Sequence, residues 1–245
     1  MLENKDINYF NFGKIENSKF WRRLGGKPNL ENKSVLDFGC GHGSLCLDIA
    51  NSDVKSVTGI DINNNLINFA KENLNENYFQ YKNKIKFHNK NILKGHFNEK
   101  FDLIVSKDTF EHTNNLPEIL DKFYDILNKG GLAYVGFGPL YNFFNGDHGR
   151  TQLKIPWLHV ILSDKFIIDR YNKKNKSKIK KIEELGLSKY SFKDYENFFS
   201  NSKFNLKFFT TNQSDNKFSI VFNLLSKFKF LKEYCTYNIY CILEK

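Results

Sequence analysis

Between residues 34 and 137 the chain alternates short apolar runs with longer amphipathic stretches. SVLDFG (34–39) is apolar apart from Asp37, the pattern of a strand covered on both faces. GSLCLDIANS follows, with Leu45, Leu47, Ile49 and Ala50 placed to pack as a helix. The pair recurs as SVTGID (56–61) and NNLINFAKENL, whose Leu66, Ile67, Ala70 and Leu74 have helical spacing. KIKFHN (84–89), FDLIVS (101–106) and GLAYVGF (131–137) read as three further strands. PEILDKFYDIL lies before the last of them, with Pro117 at a helix start and Ile119, Leu120, Phe123 and Leu127 facing inward. Strands separated by helices predict an α/β fold built on a doubly wound, mainly parallel sheet.

The rhythm breaks after Pro139. PLYNFFNGDHGRTQLKIPWLHVIL is aromatic and irregular, and a lysine-rich tract, YNKKNKSKIKK, follows it. SFKDYENFFS then reads as a helix, FNLKFFTT as a strand and YCTYNIYCILE as a terminal strand, which brings the sheet to seven strands. The expected organisation is a single domain over 1–245. It comprises a helical cap (1–30), a binding core (31–138), an insertion after the fifth strand (139–190) and a helix with two strands (191–245). The insertion should sit over the C-terminal ends of the strands, where such sheets bind ligands. The lysine tract reads as a solvated surface.

VLDFGCGHGSL (35–45) carries the clearest chemistry. Gly39, Gly41 and Gly43 alternate at a strand-to-helix turn, where bare backbone lets a ligand approach N–H donors at a helix start. The spacing departs from the dinucleotide fingerprint, because Ser44 holds the place of its third glycine. Asp37 precedes the glycines inside the strand and needs an ordered partner there.

With these residues in view, the sequence resembles the class I S-adenosylmethionine-dependent methyltransferases. VLDFGCGHG matches their first motif, and GIDIN their second, with Asp61 placed to accept both ribose hydroxyls. FHNKNIL matches the third region, where Asn91 stands in place of a frequent aspartate. FDLIVSKDTFEH and LNKGGLAYVGF match the fourth and fifth. The resemblance covers residues 30 to 137. It implies a Rossmann-like methyltransferase fold, with S-adenosyl-L-methionine as cofactor. The implied cofactor-binding residues are Asp37, Gly39, Cys40, Gly41, Gly43, Asp61, Ile62, Asn91, Ile92 and Ser106.

Asp108, Glu111 and His112 form D-x-x-E-H just after the fourth strand. The motif is similar to the E-x-x-E-H of metal-dependent O-methyltransferases, with a shorter acid in first place. Those families add a later histidine, for which His148 is the best-placed candidate. A divalent ion on Asp108, Glu111, His112 and His148 would lower the pKa of an acceptor hydroxyl. In metal-free relatives the Glu–His pair is structural, and both readings stay open. His112 and His148 are the candidate catalytic residues, His148 as general base where no metal is present. Arg150 is placed to pair with a phosphate or carboxylate of the acceptor. His159 reads as a core histidine and Trp157 as a packing anchor. Arg22 and Arg23 read equally as contacts to a carboxylate and as helix surface.

Bulk properties narrow the rest. Of 245 residues, 40% are hydrophobic and 16% aromatic, which predicts a folded chain. The formal charge of +10 raises nucleic acid as a partner. Arginine, however, occurs only at positions 22, 23, 150 and 170, and it is arginine that makes bidentate phosphate and base contacts. The four cysteines form no CxxC pair, and no apolar run reaches membrane-spanning length, so a cytoplasmic setting is expected. A looser similarity, resting on WRRLGG, GDH and PWLH, is to bacterial small-molecule methyltransferases of surface-polysaccharide pathways. It implies O-methylation of a small polar acceptor, phosphorylated or nucleotide-linked. The alternatives are an RNA 2′-O-methyltransferase and a cofactor-binding protein without transfer activity.

Overall fold

In the computed structural model, which describes residues 2–94, 97, 99–216 and 219–245, the chain opens with α1 (Asn4–Arg23). A doubly wound unit follows: β1 (Ser34–Phe38), α2 (Ser44–Ala50), β2 (Ser56–Asp61), α3 (Asn64–Asn77), β3 (Ile85–Asn89), β4 (Phe101–Lys107), α4 (Leu116–Ile126) and β5 (Leu127–Phe137). The insertion carries α5 (Leu158–Ile161) and α6 (Asp164–Asn175). The chain closes with α7 (Phe192–Ser200), β6 (Asn205–Thr211), α8 (Ser219–Leu225), α9 (Lys232–Cys235) and β7 (Ile239–Glu244).

The seven strands form one sheet in the order β3-β2-β1-β4-β5-β7-β6. The pairs among β1 to β5 are parallel, and β7 runs antiparallel to both β5 and β6. This is the Rossmann-like methyltransferase architecture expected from the sequence.

Alternation along the strands explains its two cores. Val35, Leu103, Val105 and Tyr134 point to a cluster shared with α1, α2 and α3. Their neighbours Leu36, Ile104, Ala133 and Val135 point the other way, to a cluster shared with α4 and α7. Successive side chains in a strand face opposite sides, so a sheet covered on both faces must be apolar at nearly every position. A third, small cluster of Tyr141, Ile167, Ile182 and Leu187 ties the insertion together.

One stretch differs from the sequence-based expectation. YCTY (234–237) reads as strand, yet Tyr234 and Cys235 lie in α9 and β7 starts only at Ile239. Asn212 imposes the turn: its Nδ2 donates to the Cys235 carbonyl at 3.0 Å, and its Oδ1 accepts from the Tyr237 N–H at 2.8 Å. The lysine tract begins inside a helix, because Lys173 and Lys174 occupy the last turn of α6, where cations favour the dipole. Both side chains are exposed.

Phe123 of α4 is fully buried, with ring centroids 5.2 Å from Phe38 and 6.0 Å from Phe110. Phe123→Ala is expected to lower the unfolding free energy by about 3–5 kcal/mol, measured as a shift of the denaturant midpoint.

Candidate active site

The turn between β1 and α2 is shaped from the neighbouring strand. The N–H groups of Gly39 and Cys40 both donate to the Ile60 carbonyl, at 2.9 and 3.1 Å. One residue on, Asp61 Oδ2 accepts from the Gly41 N–H at 3.0 Å while Oδ1 accepts from the Asn63 N–H at 2.8 Å. Asp61 therefore braces the glycine loop against the start of α3. Each of its oxygens keeps a second lone pair for a ligand. Gly41 has φ 52°, and a Cβ there would meet no protein atom within 4 Å. Gly43, at φ 82°, caps α2, and a Cβ there would come within 2.6 Å of Phe87.

Over this loop opens a cavity of about 830 Å³. Gly39, Cys40, Gly41, Asp61, Ile62, Asn91 and Ile92 line it, so seven of the ten residues read from the sequence converge there. The other three do not line it. Asp37 is 2% exposed, faces α2 and accepts the Cys46 S–H at 3.1 Å. Ser106 is fully buried and donates to the Phe38 carbonyl at 3.1 Å inside the sheet. Gly43 serves close packing of α2.

The far side of the cavity comes from elements the motifs did not mark. Tyr9, Phe12 and Glu16 of α1 line it. The helix is pinned there by Asp6, whose Oδ1 lies 3.0 Å from His42 Nε2, and by Asn17, whose Nδ2 donates to the Ser44 carbonyl at 3.0 Å. Lys107 Nζ donates to Asn17 Oδ1 at 2.5 Å. The detectable signal was the helical spacing of Phe10, Asn17, Phe20 and Trp21, all buried. Arg22 and Arg23 are turned elsewhere: Arg22 pairs with Asp215 at 2.5 Å, and Arg23 donates to the Tyr240 hydroxyl at 2.8 Å.

The D-x-x-E-H turn splits its residues. Asp108, at φ 53°, lines the cavity and donates its N–H to the Gly136 carbonyl. Glu111 is buried. Its Oε1 accepts from the Gly138 N–H at 3.3 Å, its Oε2 has no partner, and desolvation pushes its pKa well above the usual carboxylate range. His112 lines the cavity. Its Nδ1 donates to the Gly186 carbonyl at 2.9 Å, which leaves the Nε2 lone pair 3.4 Å from Arg150 Nη2. Burial, with His148 and Arg150 beside it, pushes the His112 pKa down to about 4. His148 packs its ring centroid 4.6 Å from that of His112 and is not on the cavity wall. Its Nε2 lies 3.1 Å from the Pro139 carbonyl.

Arg150 reaches the cavity from the insertion, donating from Nη1 to the Leu185 carbonyl at 2.8 Å and to Gly186 at 2.5 Å. His159 Nε2 lies 2.7 Å from the Tyr141 carbonyl in the interior, a core histidine. Trp157 packs against Phe144 at 5.8 Å.

Glu111, His112 and His148 each offer a ligand atom, all within 4.8 Å of one another. Asp108 is not in that group. The two imidazoles and the unpartnered Glu111 oxygen fit a divalent ion. The Arg150 guanidinium beside His112 Nε2 opposes one, since a cation would have to displace it.

Burial pushes the Asp37 carboxyl up to about 7. Folding thus holds its proton from pH 4 to 7, where the unfolded chain has released it, so its contribution to stability is lost as pH rises through that window. Asp37→Asn should flatten this decline in urea titrations across that range.

Residues 29–137 match the family described as a methyltransferase domain. The chain is 35% identical over 131 residues to phosphoethanolamine N-methyltransferase of Plasmodium falciparum, covering 52% of this chain and 47% of that protein. It is 30% identical over 156 residues to malonyl-[acyl-carrier protein] O-methyltransferase of Acetivibrio thermocellus, covering 60% and 53%. The chain thus spans about half the length of these relatives. Among solved structures, an S-adenosylmethionine dependent methyltransferase from Mesorhizobium loti aligns at TM-score 0.59 with 12% identity, covering 93% of this chain and 96% of that one. Magnesium protoporphyrin IX methyltransferase from Synechocystis, with bound SAH, aligns at 0.57 with 14% identity, covering 100% and 88%. These two likenesses concern the fold. The match to the methyltransferase domain over residues 29–137 spans the same stretch of the sheet as the five ordered motifs that resemble the class I S-adenosylmethionine-dependent methyltransferases.

Proposed function

We propose that the chain transfers a methyl group from S-adenosylmethionine to a hydroxyl of a small polar acceptor bearing an anionic group. The observation that carries this reading is a single cavity holding both the Asp61-braced glycine loop and the His112–Arg150 pair. The cofactor fits the first part. The open side of Gly41 takes its methionine end, the spare lone pairs of Asp61 take the ribose hydroxyls, and Asn91 with Ile92 takes the adenine edge. When bound, it supplies a methyl on a sulfonium sulfur. As the acceptor oxygen bonds to that carbon, the carbon–sulfur bond breaks and the hydroxyl proton must leave.

His112 is the residue placed to take that proton. Its Nδ1–H is committed to Gly186 and its low pKa keeps the ring neutral at physiological pH, so Nε2 carries the lone pair, which opens to the acceptor when the Arg150 guanidinium, 3.4 Å away, turns to an anionic group. Arg150 retains donors beyond its contacts to the two carbonyls and His112, and these orient an anionic group. α1 covers the cavity and keeps water from the reacting atoms. The acceptor fits the class of nucleotide-linked or phosphorylated sugars of surface-polysaccharide assembly. Four free, buried cysteines support a reducing, cytoplasmic setting. Among the described residues no helix is long and apolar enough to cross a membrane.

A second reading is favoured by the unpartnered Glu111 Oε2: a divalent ion held by Glu111, His112 and His148. Calorimetry of chelator-stripped protein with S-adenosylhomocysteine, with and without divalent metal, separates the two. The metal-free reading expects cofactor binding and no separate metal heat. A metal heat lost in Glu111→Gln selects the second reading. No cofactor binding under either condition overturns both.

Asp61→Ala should weaken S-adenosylhomocysteine binding by about 1–3 kcal/mol, the scale for losing charge-assisted hydrogen bonds. His112→Ala should lower transfer to the hydroxyl on the order of a hundredfold or more while leaving cofactor affinity nearly unchanged. Because His112 titrates only near pH 4, wild-type transfer should show no acid-side loss between pH 6 and 8 from this group. Cofactor binding without turnover on any acceptor would favour a non-catalytic protein, and transfer confined to RNA a 2′-O-methyltransferase.

A further inference from the structure

The segment between β6 and β7 leaves the sheet where Thr211 and Phe137 both pair with Ile239, so it sits at the C-terminal end of β5 beside the insertion. Its inner side is anchored. Phe222 packs against Phe143 and Phe144 at 4.8 and 5.9 Å, and Asn212 holds both Ser226 Oγ and the Cys235 carbonyl. Its outer side is apolar and bare: Ile220, Val221, Leu224, Phe228, Phe230 and Tyr234 are all exposed, Phe228 at 56% and Phe230 at 74%. Soluble proteins rarely leave so many large apolar side chains uncovered along one segment.

The charge on this face indicates its occupant. In α8, α9 and the turn between them the one acidic residue is Glu233, which accepts inward from Asn142 Nδ2 and the Phe192 N–H, and the exposed Lys227 and Lys229 alternate with Phe228 and Phe230. We propose that α8, α9 and the turn between them form a docking face for an anionic lipid surface, with the aromatics entering the acyl boundary and the lysines resting among the headgroups. Basic residues interleaved with aromatic and aliphatic ones suit that interface. A second copy of the chain fits worse, because a symmetric contact would set the same lysines against each other. The face is built from residues outside the cavity, so the proposal is independent of the methyl-transfer reading.

Vesicle sedimentation of the full chain tests it. With phosphatidylcholine vesicles containing about one-third phosphatidylglycerol the protein should pellet, and with phosphatidylcholine alone it should stay in the supernatant. Phe228→Ser/Phe230→Ser should reduce the bound fraction by about tenfold. Charge reversal at Lys173 and Lys174, a basic site without this apolar face, should leave most binding intact. Phe230→Trp should be quenched by brominated lipid. Three results overturn the proposal: no association with anionic vesicles, association unchanged in the double serine variant, or a wild-type dimer in solution that the serine variant abolishes without any vesicle binding. Retained S-adenosylhomocysteine affinity and thermal midpoint in the variants establish that they fold.

Discussion

Everything on the ligand side of this molecule depends on how the last two residues of β2 hold the turn after β1. A chain leaving a buried parallel strand has unpaired N–H groups that must be satisfied before a helix can start. Here the Ile60 carbonyl takes two of them and the Asp61 carboxylate takes a third. The loop is thereby fixed in left-handed conformations at Gly39, Gly41 and Gly43, with open space at Gly41. The same carboxylate caps the approach to α3 through Asn63. One acidic side chain thus sets the loop, the start of the following helix and the floor of the cavity.

A second constraint acts from the opposite wall. Within the insertion Arg150 donates to the Leu185 and Gly186 carbonyls, and the insertion meets the core at His112, which donates to Gly186 and faces Arg150. The insertion and the turn after β4 are therefore one unit. Any group that enters at Arg150 also meets His112. Behind them the buried Glu111 keeps an oxygen without a partner among the described residues, and desolvation pushes its carboxyl pKa well above the usual range. Burying it charged would require a counter-ion on that oxygen, and Arg150 faces His112 instead.

The fold was largely legible because its strands are apolar at nearly every position and its helices alternate with them, a pattern with few topological solutions. Where reading failed, a distant contact outweighed local preference. The β-favouring YCTY segment is bent by Asn212, more than twenty residues away in sequence. In the site, glycine spacing, the acid that ends β2 and the FHNKNIL region marked seven lining residues. Asp37 and Ser106 lie off the cavity wall because strand periodicity sends them into the sheet interior, where motif position alone does not register facing. His148 belongs with His112 as expected, but the Pro139 carbonyl turns its ring behind the wall. The contribution of α1 left only an amphipathic period, since Tyr9, Phe12 and Glu16 act by lying across the loop, with no motif of their own.

This division bears on how far relatives inform the chemistry. The family match ends at residue 137, and Arg150 and Gly186 lie beyond it. Relatives over the shared half include both an N- and an O-methyltransferase by name, as expected when a common core delivers the methyl and other segments choose its destination. In this chain α1 and the insertion lie outside the matched span and line the same cavity. Together with the turn after β4 they place in the cavity a neutral imidazole whose Nε2 lone pair faces a guanidinium, that guanidinium anchored by two carbonyls, and a helix on the far wall. On the proposed reading, the fixed positive charge of Arg150 meets the acceptor's anionic group and the imidazole beside it meets the hydroxyl.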